Sequence, residues 1–67
     1  MKQTQIIMEN QAIQVGDYVR TQYGLKYLRV EGKVGGYDAY VEVVNGKAQK
    51  RKTGLHDSYK LTKINLD

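Results

Sequence analysis

Asn45-Gly46 lies between two runs of strand-forming residues, Ala39-Tyr40-Val41-Glu42-Val43-Val44 and Lys47-Ala48-Gln49-Lys50-Arg51. This dipeptide tolerates the positive φ that both central positions of a type I′ hairpin turn require. A two-residue loop also fixes register. It places Val44 opposite Lys47, Val43 opposite Ala48, Glu42 opposite Gln49, Val41 opposite Lys50 and Tyr40 opposite Arg51. Alternation then turns Val41, Val43 and Ala48 inward and sends Tyr40, Glu42, Lys47, Gln49 and Arg51 to solvent.

The rest of the chain has the same character. Proline is absent and seven glycines, at 16, 24, 32, 35, 36, 46 and 54, divide the chain into pieces of strand length. Apolar and polar residues alternate through Tyr18 to Arg20, Arg29 to Glu31, and Leu61 to Ile64. Gly35-Gly36 predicts a second reversal, joining a strand from about Tyr27 to Val34 onto the Ala39 strand. Thr53 to Tyr59 is too short for a stable helix and suits a single 3₁₀ turn, with a last strand over Lys60 to Asn65. Gln3 to Met8 is read as an added edge strand or a segment across an open end, and Asn10 to Gln14 as a linker. The expectation is an all-β fold: residues 1–14 form an N-terminal extension, and residues 15–67 a five-stranded barrel whose order of elements resembles the SH3-like barrels.

Length and composition limit the alternatives. A chain of 67 residues supports one domain and buries only about 60% of its unfolded surface. It has no Cys, and His56 is the single histidine, so neither a disulfide nor a zinc site is available as a staple; no metal or cofactor is expected. Met1 to Gln14 has only the short apolar run Ile6-Ile7-Met8, which predicts neither a signal peptide nor a membrane partner, and a cytoplasmic location is expected. The formal charge of +4 suits a polyanion, and equally suits plain solubility.

Val15-Gly16-Asp17-Tyr18-Val19-Arg20-Thr21 resembles the opening of KOW and Tudor-like barrels, with Gly-Asp followed by a hydrophobic residue two positions on. The likeness runs through Gly24 to Gly32-Lys33-Val34, which is similar to the closing Gly-x-Val step of the KOW motif; Leu25 to Glu31 lacks the intervening glycine usual in that family. The resemblance implies an SH3-like barrel and, for a full match, ribosomal or transcription-elongation partners. The style of the short chain is also similar to proteins encoded by phages and prophages.

The chemistry on offer is recognition. His56-Asp57-Ser58 contains the residue types of a catalytic triad, yet triad members converge through the fold and not as sequence neighbours, so no enzyme is expected. Asp57 or Ser58 is read as the cap of the short turn, and Asp17 and Asp38 as turn formers. Six tyrosines, with no Phe or Trp, supply the large side chains. Tyr23, Tyr37 and Tyr59 are candidates for a protein-binding groove, since tyrosine is favoured at interfaces. Lys47, Lys50, Arg51 and Lys52 with Tyr40 are candidates for binding DNA or RNA, cations neutralising phosphate and a ring stacking on a base. The leading expectation is a small binding module or regulator docking on a protein or nucleoprotein partner. Nucleic-acid binding and a structural homo-oligomer subunit are the alternatives.

Overall fold

A computed structural model describes residues 13–65. The expected edge strand over Gln3 to Met8 lies outside the described residues, as do residues 10–12 of the expected linker. Five strands follow one another: β1 (Tyr18–Arg20), β2 (Lys26–Val34), β3 (Tyr37–Val44), β4 (Lys47–Gly54) and β5 (Thr62–Ile64). They form one antiparallel sheet in the order β4-β3-β2-β1-β5. The sheet is open: among the described residues β4 and β5 are its edges and no ladder joins them, so the expected closure into a barrel is not made. No helix among the described residues is long and apolar enough to cross a membrane.

Both predicted reversals are present as two-residue turns. Asn45 and Gly46 have φ of 53° and 79°, Gly35 and Gly36 have 61° and 86°, and Val44↔Lys47 and Val34↔Tyr37 flank them. The register expected beyond Val43↔Ala48 is wrong. β4 sets Gln49, Lys50 and Arg51 against the single residue Glu42, so Val41 faces Lys52 and Tyr40 faces Thr53, not Lys50 and Arg51. β2 has a matching irregularity, with Val30, Glu31 and Gly32 against Ala39. Bulges of this kind bend a strand and add to its twist.

The bent sheet buries the centre of β3 on both faces. Ala39, Tyr40 and Val41 are consecutive and all buried, and Val43 follows. The inward assignment of Val41 and Val43 holds, but Ala48 is exposed and Tyr40, expected in solvent, is 3% exposed. On one face Tyr40 packs with Val19, Leu55 and Leu61, and with the partly buried Ile13, Tyr27 and Tyr59. On the other, Lys52 sits opposite Val41, and its Nζ donates to the Glu31 carbonyl of β2 at 3.4 Å. The Lys52 side chain therefore reaches across β3 to the backbone of β2.

Two backbone features hold the frame. Gly54, opposite Ala39, lies directly against the Val34 carbonyl; a Cβ there would clash with that oxygen and stand 3.1 Å from the Tyr37 Cβ. At the entry to β1, the Asp17 amide donates to the Gln14 carbonyl at 2.9 Å, and the Gln14 amide donates to Asp17 Oδ2 at 2.8 Å. Lys63 of β5 pairs with the same carboxylate at 3.4 Å. The Gln14 amide, more than Lys63, holds the Asp17 carboxyl below the usual carboxylate range.

Two outcomes are expected. Gly54→Ala lowers stability by about 1–3 kcal/mol, read from the shift in urea midpoint, because a backbone carbonyl cannot step aside as a flexible side chain would. Asp17 has a lowered folded pKa, so its contribution is complete above the unfolded value and is lost as pH falls through the folded one. Urea melts at pH values falling through the carboxylate range should show a steeper loss for the native chain than for Asp17→Asn, which cannot titrate there.

Candidate functional site

A groove of about 400 Å³ opens on the face that carries the core cluster. Its floor is Tyr40, Leu55 and Leu61. One wall is Tyr37 with His56, whose rings are 5.1 Å apart; Tyr59 faces them. Leu55 and His56 directly follow Gly54, so the approach of Gly54 to the Gly35-Gly36 hairpin is what sets the His56 ring beside Tyr37. Tyr23 joins the set from outside: its ring meets Tyr59 edge-on, with centroids 6.0 Å apart at 86°. The three tyrosines chosen from sequence are thus assembled along one surface, two in the groove and one at its end.

The groove carries charge of both signs. Arg29 lies over the Tyr40 ring at 5.8 Å, its Nη1 donates to the Ile13 carbonyl at 3.1 Å, and its Nη2 pairs with Asp38 at 3.3 Å. Lys33 reaches the same carboxylate at 3.8 Å. Asp38 is therefore an ion-pair acceptor on β3 and not the expected turn former. Arg29 Nε is buried with no acceptor, a cost that the other contacts of this side chain offset. Asp57 also lines the groove and takes part in none of the ion pairs among the described residues. Burial raises the Tyr40 hydroxyl above its ordinary range, against the opposing effect of Arg29, so it stays protonated.

Between β4 and β5 the expected 3₁₀ turn reduces to one hydrogen-bonded turn, in which the Tyr59 amide donates to the His56 carbonyl at 3.0 Å. The cap comes from His56 and not from Asp57 or Ser58. The Ser58 amide donates to His56 Nδ1 at 2.9 Å, and Ser58 Oγ is 3.1 Å from the same nitrogen. Gln22 fastens this turn to the β1–β2 loop: its Nε2 donates to the Ser58 carbonyl at 3.4 Å, and its Oε1 accepts from the Lys60 amide at 2.8 Å. Within that loop, the buried Thr21 hydroxyl accepts from the Tyr23 and Leu25 amides at 3.1 and 3.3 Å.

The basic strand is less coherent than its sequence. Lys47, Lys50, Arg51 and Lys52 are all exposed on edge strand β4. Lys52 is bound to Glu31, however, and Arg51 borders a shallow cavity beside Glu42 and Tyr27. Tyr40, expected across from Arg51, faces Thr53 because of the β4 bulge, and its ring lies in the core with Val19, Leu55 and Leu61. The structure does not bring these five residues together as one surface.

Arg29, Asp38, Leu55 and His56 were not singled out from sequence as site residues. The pairing of Lys33 with Asp38 follows from a two-residue loop at Gly35-Gly36, and that signal was available. Arg29 reaches Tyr40 only through the β2 bulge, which no local pattern announces.

Thr21→Val keeps the shape of a buried side chain and removes the acceptor of two amides. The expected result is a loss of about 1–3 kcal/mol in a denaturant melt, with faster amide exchange at Tyr23 and Leu25. Comparison of the chain with protein-family models, with curated proteins and with solved structures gives no match.

Proposed function

We propose that this chain is a small, non-catalytic SH3-like binding module that docks on a protein or nucleoprotein partner through the Tyr37–Tyr59 groove. The observation that carries this reading is the assembly of Tyr37, His56 and Tyr59 around a cavity of about 400 Å³ with Tyr23 at its end. The strand order, with β5 returning to pair with β1, supports the SH3-like reading. Tyrosine gives large contact area for the loss of few rotatable bonds, and its hydroxyl keeps a polar handle at the rim. An extended segment of a partner fits such a groove: its apolar side chains meet the Tyr and Leu surfaces, and a basic one meets Asp57.

Arg29, Lys33 and Asp38 are already paired, which leaves Asp57 as the one groove carboxylate outside the ion pairs of the described residues, so binding there should respond only modestly to salt. Capture of a partner from the lysate of the native host, with and without nuclease, tests the proposal. Tyr37→Ala with Tyr59→Ala is expected to weaken capture at least about tenfold, with nuclease treatment and moderate salt having little effect. Lys50→Ala with Arg51→Ala should leave it unchanged. Undiminished capture by the double tyrosine variant, with its fold verified by circular dichroism, would discard the groove.

A further inference from the structure

Arg20 of β1 stands directly opposite Lys26 of β2 in the antiparallel ladder. Like charges in that position repel, and neither residue has a carboxylate partner: the ion pairs among the described residues are Arg29–Asp38, Lys33–Asp38 and Lys63–Asp17. On its other side Arg20 pairs with Thr62, and these two border a second, open cavity of about 490 Å³. Thr21, Gln22, Tyr23 and Lys60 contribute to the same lining, which contains no Asp or Glu. Two cations therefore face this cleft, a third adjoins it, and no carboxylate among the described residues pairs with them.

The same cleft presents a free aromatic ring. Tyr23 is 71% exposed, yet it is held: the Thr21 hydroxyl fixes its backbone amide, and Tyr59 packs edge-on against its ring. Lys60 is fixed in turn by the bond from its amide to Gln22 Oε1. A preorganised ring flanked by unpaired cations meets the two requirements of single-stranded nucleic acid, phosphate neutralisation and base stacking. An inorganic anion would use the cations and leave the ring idle. An acidic peptide would satisfy the cations without needing a flat face.

The geometry points to a single-stranded nucleic-acid site at the β1–β2 end of the sheet, with Arg20, Lys26 and Lys60 on phosphates and Tyr23 under a base. This site lies apart from Tyr37, His56 and β4 and shares Tyr23 with the docking surface proposed above, so variants at Tyr37 and at Arg20 tell the two apart. It would let one small module hold the protein and the nucleic-acid parts of a nucleoprotein at neighbouring clefts.

The test is fluorescence anisotropy of the full chain with a labelled oligothymidylate of about ten nucleotides across a salt series. Binding is expected to weaken with salt, and Arg20→Gln and Lys60→Gln should each reduce the slope of log K against log salt by about 0.7. Tyr23→Ala is expected to weaken binding roughly five- to 150-fold while Tyr23→Phe retains it, since stacking needs the ring and not the hydroxyl. Tyr37→Ala should leave oligonucleotide binding intact, which separates this result from failure of the groove. Absence of binding at low salt would overturn the proposal. So would binding that is indifferent to Tyr23→Ala and equally competed by polyglutamate, which would mark an acidic-protein surface. Binding lost in a Lys47→Gln, Lys50→Gln, Arg51→Gln variant but kept in Arg20→Gln would overturn it in favour of β4.

Discussion

The contact between the Gly54 backbone and the Val34 carbonyl governs how far this sheet can bend. It brings the end of β4 onto the β2–β3 hairpin, across the fully buried Ala39. With so little core to share, the chain gains burial by bending one sheet around its third strand and covering that strand twice. The returning segment that holds Leu55 and Leu61 covers one side, and the stem of Lys52 crosses the other. Any side chain at position 54 would separate the two hairpins and open the face on which the tyrosines gather.

The charged residues sort by what they already hold. Arg29 and Lys33 share the single carboxylate of Asp38 in the lining of the groove, and Asp17 with Lys63 ties the first strand to the last. Lys52 supports the strand beneath it. Among the described residues Arg20, Lys26 and Lys60 enter no such pair, and the cleft they border is lined by no Asp or Glu. The net positive charge is therefore not spread evenly over the molecule. On β4 Lys52 is held by the Glu31 carbonyl while Lys47, Lys50 and Arg51 are exposed without an ion pair among the described residues; Arg20, Lys26 and Lys60 gather instead at the β1–β2 end of the sheet.

Local chemistry made much of the fold legible. Asn45-Gly46 and Gly35-Gly36 specify two-residue turns almost by themselves, and the spans of β2 and β3 follow from them. The pairing past Val43 was not legible, because a bulge is a compromise reached by the whole sheet and leaves no mark in Gln49-Lys50-Arg51. Tyr40 keeps the face opposite Val41 and Val43, but Val19, Leu55 and Leu61 cover that face and make it core rather than surface. Strict alternation misassigns Ala39-Tyr40-Val41, because three apolar residues in succession fit a strand covered on both sides. Tyr23, Tyr37 and Tyr59 could be chosen by residue type, but their meeting depends on His56 and Gln22, whose roles arise only from the packed turn.

Gln22 has a further consequence. One carboxamide gives a hydrogen bond to Ser58 and receives one from Lys60, so both ends of that side chain are engaged between the loop bearing Tyr23 and the turn bearing Tyr59. A carboxylate in its place could not donate and an ammonium could not accept. The two clefts are thus joined by a bidirectional clip, through which a change of posture in either loop must register in the other.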